Sequence, residues 1–147
     1  MLILHRFAAF IAVLCIATFF SATILVELLG TGESIAILKS LIVWPGLFIL
    51  VPSIALTGGS GFALAKSRSG QWVRQKKKRM PFIAANGILV LIPCAVFLNC
   101  WAFAGTFDTH FYIVQGVELL AGAINLILMG LNMRDGFRMS GKFRRSA

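Results

Sequence analysis

Four long apolar runs, near residues 4–29, 35–57, 81–104 and 111–133, take up most of a 147-residue chain. Nothing else constrains the fold as much. The hydrocarbon core of a bilayer is about 30 Å thick, and a helix crosses it with about 20 apolar residues. Each run is long enough, and little chain is left over for a second domain. In lipid only helices and closed barrels satisfy their own backbone. Barrel strands alternate apolar and polar residues, and these runs do not. The expected fold is therefore all-α: one integral membrane four-helix bundle over residues 1–147. At 59% hydrophobic residues the chain exceeds the roughly 45–50% apolar share of soluble domains, which agrees.

Charge orients the bundle. Fourteen Lys and Arg against five Asp and Glu give a net charge of +9. The basic residues flank apolar runs and have no soluble fold around them, so we expect no nucleic-acid partner. They fit topogenic charge and attraction to anionic lipid. Arg6, the seven basic residues from Lys66 to Arg79, and Arg134, Arg138, Lys142, Arg144 and Arg145 fall on one side. Only Lys39 falls on the other, near the outer end of the second run. The positive-inside rule puts both termini, a basic loop over 58–80 and a basic tail over 134–147 in the cytoplasm. A bacterial inner membrane is the expected location. The first run is too long for the apolar core of a signal peptide and meets another run almost at once, so it is expected to be an uncleaved helix.

Turn and breaker residues punctuate the runs. Gly30 to Ser34 forms a short outer turn with Ser34 as the expected N-cap. Pro45 and Pro52 predict a bend in the second run, and Gly58-Gly59-Ser60-Gly61 is expected to end or unwind it. Pro81 suits the first turn of the third run. Cys15, Cys94 and Cys100 lie inside runs with no CxxC, so they are expected to be small buried hydrophobes rather than a disulfide framework.

Helical spacing picks out inward faces. In the fourth run Gln115, Glu118, Gly122, Asn125, Met129 and Asn132 recur every three or four residues, forming one stripe. Polar groups are costly in lipid, so the stripe should face the interior or a neighbouring subunit. It serves either as helix–helix glue or as the lining of a pathway or cofactor face. Gly122 and Ala123 offer a close-packing interface for a homo-oligomer or a larger membrane complex. The first run gives a parallel stripe: His5, Ala9, Ala12, Ile16, Phe19, Thr23 and Glu27. The second gives Lys39, Val43, Gly46, Leu50, Ser53 and Thr57. In the third, Asn86, Pro93 and Cys100 fall on one line.

The stripes locate candidate chemistry. By helical rise Glu118 sits roughly 10 Å below the outer end of the fourth run, and Lys39 roughly 6 Å below that of the second. Glu27 is in the last turn of the first. These groups, with Gln115 and Asn125, form an intramembrane polar set. It is either a structural Glu–Lys pair or a proton or cation site. Glu33, Asp108 and His110 add to an acidic outer mouth. Asp108 and His110 fit a solvated cap better than a metal site, and no zinc quartet or phosphate-binding glycine loop is present. His5, at the opposite end, is a potential axial haem ligand. His5 and His110 lie too far apart to form a bis-His pair within one chain.

Leu4-His5 opening the first run and Trp72-Val73-Arg74-Gln75-Lys76 ahead of the third carry a resemblance. The chain resembles small four-helix membrane proteins of the HemJ-type protoporphyrinogen oxidase and CopD-like group, in which a first-span Leu-His and a Trp-x-x-x-Lys before the third span occur. The resemblance implies haem or porphyrin chemistry with His5 and Lys76 as cofactor-binding residues. The chain lacks that family's Pro-Arg-Leu segment after the first-span His and its third-span His. Three functions follow as expectations: a haem- or porphyrin-associated redox protein, a proton- or cation-coupled transporter or channel subunit, or a non-catalytic accessory subunit.

Overall fold

The computed structural model describes residues 2–66 and 70–139. Helix α1 spans Leu2–Leu29. Helix α2 spans Gly32–Lys66, α3 spans Gln71–Phe103, and α4 spans Thr109–Met139. Among the described residues there is no strand. Four helices are long and apolar enough to cross a membrane, so the chain has the build of a multi-pass membrane protein. Its outer surface fits that solvent. Phe7, Phe10, Leu14, Phe48, Phe97, Ile113 and Leu120 all lie exposed, an apolar coverage that water would not tolerate on a monomer.

Both middle helices are broken, and each break has a sequence cause. In α2 the α-helices Gly32–Leu41 and Leu47–Lys66 meet at a wide π-type turn, Ile42–Gly46. Trp44 there is extended, at φ −135° and ψ 113°. Pro45 has no N–H to donate and disfavours helical backbone at the residue before it. The break redirects the helix: Leu47–Lys66 packs mainly along α1, whereas Gly32–Leu41 packs mainly on the Ile92–Phe103 half of α3. Pro52, by contrast, is carried inside regular helix.

In α3 a second π-type turn, Gly87–Leu91, precedes Pro93. The proline ring collides with the carbonyl four residues back, and a widened turn relieves this. The extra residue in that turn rotates everything after it. Consequently the buried side of α3 runs through Ile83, Gly87, Cys94, Ala95, Leu98 and Ala102. The straight line expected through Asn86, Pro93 and Cys100 does not exist, and Cys100 is exposed.

Helix ends correct three further expectations. Thr31, not Ser34, caps α2: its Oγ1 accepts from the Ser34 N–H at 3.3 Å, so Ser34 lies in the first turn. Gly58-Gly59-Ser60-Gly61 neither ends nor unwinds α2, which continues to Lys66. The 58–80 stretch is therefore mostly helix, with α3 beginning at Gln71 and α4 passing Met133 to Met139. Arg68 of the basic stretch and Lys142, Arg144 and Arg145 of the tail lie outside the described residues.

Two apolar clusters hold the bundle. Ala12, Ile16, Leu50, Ile83 and Met129 form one in the half nearer the chain's basic end. Ile35, Leu98, Ala102 and Phe111 form the other, beneath the short turns. Gly46 permits the first to close, because a Cβ there would fall 2.6 Å from Phe19 Cζ. The polar groups described next sit between and beyond these layers.

Candidate functional site

The stripe on α4 faces inward along its whole length. Gln115, Asn125, Met129 and Asn132 are buried, as is Gly122, and Glu118 is nearly so. Gly122 packs towards Phe20 of α1. Ala123 beside it is half-buried.

At the acidic end this stripe meets one group from each other helix. Lys39 of α2 is 1% exposed, and its Nζ donates to Glu118 Oε2 at 2.6 Å. Gln115 Nε2 donates to the same oxygen at 3.2 Å. Glu27 of α1 and Cys94 of α3 lie close enough for the Lys39 and Glu118 charges to act on them. The Lys39 ammonium pairs with Glu118, as a buried charge needs a partner, and Glu27 only feels its charge. Neither Glu27 Oε1 nor Gln115 Oε1 has a hydrogen-bond partner, although both are buried.

One to two turns deeper, an amide layer ties α3 to α4. Asn86 Nδ2 donates to Asn125 Oδ1 at 2.9 Å and to the Ala121 carbonyl at 2.8 Å. Asn125, wholly buried, donates to the Ile83 carbonyl at 3.4 Å. These bonds join Asn125 to α3 rather than to the Glu118 cluster.

The basic end opens into an apolar cavity of about 920 Å³ between the four helices. His5 and Arg6 of α1, Lys76, Lys77 and Met80 of α3, and Met129 and Asn132 of α4 reach its wall. The two residues singled out from the sequence, His5 and Lys76, therefore border one space. Local chemistry sets the His5 ring. Ser60 Oγ bonds both the Leu56 carbonyl and His5 Nδ1, the latter at 3.0 Å, and the Thr57 backbone also bonds the ring. The tautomer with its proton on Nδ1 leaves a lone pair on Nε2. Gly61 makes room for this arrangement: a Cβ there would stand 3.3 Å from His5 Cε1 and would overlap Met80 Cε.

Asp135 completes the cavity's surroundings, and sequence reasoning passed over it. It is wholly buried, accepts from Arg79 Nη1 at 2.7 Å, and has Arg134 Nε 3.5 Å from its other oxygen. It stands one turn beyond Asn132 in the α4 stripe. That spacing was the available signal, obscured because 134–147 read as a solvated basic tail. Trp72, the aromatic member of the Trp-x-x-x-Lys segment, lies under Arg138 at 5.1 Å and clamps the start of α3 to the end of α4.

The short turn before α4 holds no ligand set. Asp108 Oδ1 accepts from the Phe111 N–H at 3.0 Å and caps α4, while His110 is 80% exposed. Among the described residues no group of three His, Cys, Asp or Glu side chains could hold a metal. The Phe111 N–H, aided by His110, holds the Asp108 carboxyl below the usual carboxylate range. A lowered value means the cap stabilises above the unfolded-state pKa and is lost as pH falls through the folded one. Asp108→Ala is therefore expected to lower the Tm at neutral pH, with the difference from wild type vanishing in acid. Thermal melts across pH check this.

Compared with protein-family models, with curated proteins and with solved structures, the chain matches none.

Proposed function

We propose that this chain is an inner-membrane haem- or porphyrin-binding protein with a redox role, taking the tetrapyrrole into the basic-end cavity. The observation that carries the reading is that His5 and Lys76, on separate helices, border one apolar space of about 920 Å³. Ligand pockets run to about 300–1,000 Å³ with apolar walls and a few placed polar groups. A tetrapyrrole presents a large flat apolar body and carboxylates at one edge. The walls suit the body, while Arg6, Lys76 and Lys77 suit the carboxylates.

The donor set fits an iron-bearing ring as well. With its proton on Nδ1, towards Ser60, His5 would offer Nε2 to the iron, and the Ser60 contact would orient the imidazole. Met80 and Met129 supply thioethers on the same wall. Bound iron would provide one-electron chemistry; the chain's own part is to orient the ring, exclude water and anchor the carboxylates. In this reading the basic end faces the cytoplasm and its rim lies among anionic lipid headgroups.

The test is a ligand inventory by native mass spectrometry on protein purified with ample haem supply. One tetrapyrrole per chain is the expected result, and a chain carrying none rejects the reading. Ser60→Ala should weaken haem affinity by about 10–100-fold without unfolding the bundle, as loss of an outer contact does. Haem titration followed by absorbance measures it.

A further inference from the structure

We propose that the Glu27–Lys39–Glu118 cluster at the acidic end is a proton-binding site that holds one exchangeable proton on Glu27. The charge count drives this. Every helix packed against the cluster contributes a group: Glu27, Lys39, Cys94 and Glu118, with Gln115 alongside. Lys39, at 1% exposure, needs one carboxylate, and Glu118 supplies it at 2.6 Å. Gln115 Nε2 reinforces Glu118 as the ionised partner by donating to the same oxygen. Glu27 is left as a second carboxylate with no cation of its own. An uncompensated charge in such surroundings neutralises by taking up a proton.

The hydrogen-bond inventory asks for the same proton. Glu27 Oε1 and Gln115 Oε1 are both buried acceptors without a donor, and Gln115 as a whole is only 4% exposed. A proton on Glu27 turns one unpartnered acceptor into a donor. A metal cation fits poorly, because the Lys39 ammonium already supplies the positive charge. The Ala12, Ile16, Leu50 and Met129 layer separates the cluster from the basic-end cavity, so protons reach it from the acidic end. This site stands whether or not the cavity takes a tetrapyrrole.

Infrared spectroscopy of the protein in lipid nanodiscs tests the proposal. Wild type should show a protonated carboxylic C=O band at neutral pH that shifts in D₂O and fades at higher pH. Glu27→Gln should remove it, while Glu33→Gln should leave it in place. Glu118→Gln should also remove it, because Glu27 then ionises to pair with Lys39. Circular dichroism confirms that each variant remains helical. Absence of the band in wild type overturns the proposal without reference to any variant's folding. Its persistence in Glu27→Gln does so too.

Discussion

Replacing Lys39 by methionine is expected to destabilise the folded chain by about 3–5 kcal/mol at neutral pH, the usual cost of breaking a buried ion pair from one side. Lys39 is among the least exposed of the described residues, and its ammonium contacts Glu118 at 2.6 Å. Without it, the Glu118 carboxylate is left in the interior with no cation in contact. The pair's net worth is a separate quantity from the cost of splitting it. Lys39→Met combined with Glu118→Leu should recover most of the lost stability, because an apolar replacement of a buried pair is often neutral or better. Denaturant unfolding of the single and double variants in one detergent measures both effects.

The features legible in the sequence were those set by period and composition. Four apolar runs gave four helices. The α4 stripe from Gln115 to Asn132 turned inward as its spacing required, because α4 is uninterrupted and its phase never slips. Phase failed in α3. Pro93 was visible, but the widened turn at Gly87–Leu91 that accommodates it was not, and one inserted residue carried Cys100 from the interior to the surface. Pro45 broke α2 as expected, whereas the glycines at 58, 59 and 61 did not end it. Contacts with α1 keep that segment helical, and the absent Cβ of Gly61 is what lets His5 and Met80 approach.

The sites show the same division. Lys39 and Glu118 could be placed at similar depth from helical rise alone, and they meet. Partners joined by tertiary packing could not be read that way. Ser60, which bonds His5 Nδ1, lies 55 residues away in the chain. Asp135 looked like part of a solvated tail because a run of basic residues surrounds it; in the fold it is buried against Arg79. Gly122 carried a real signal for close packing, but nothing in one sequence says which helix will approach, and here it is α1.

The most direct measurement is the absorption spectrum of purified protein titrated with haem, wild type beside His5→Ala. In the proposed reading His5 Nε2 would hold the haem iron, with Ser60 at Nδ1 orienting the ring. His5→Ala removes that nitrogen but leaves the apolar volume and the basic rim. Wild type should give a sharp, saturable Soret band at one haem per chain. His5→Ala should lose the His-ligated spectrum and bind at least tenfold more weakly, with helical content unchanged by circular dichroism. A wild-type protein that takes up no haem would contradict the account, as would a His5→Ala spectrum and affinity indistinguishable from wild type.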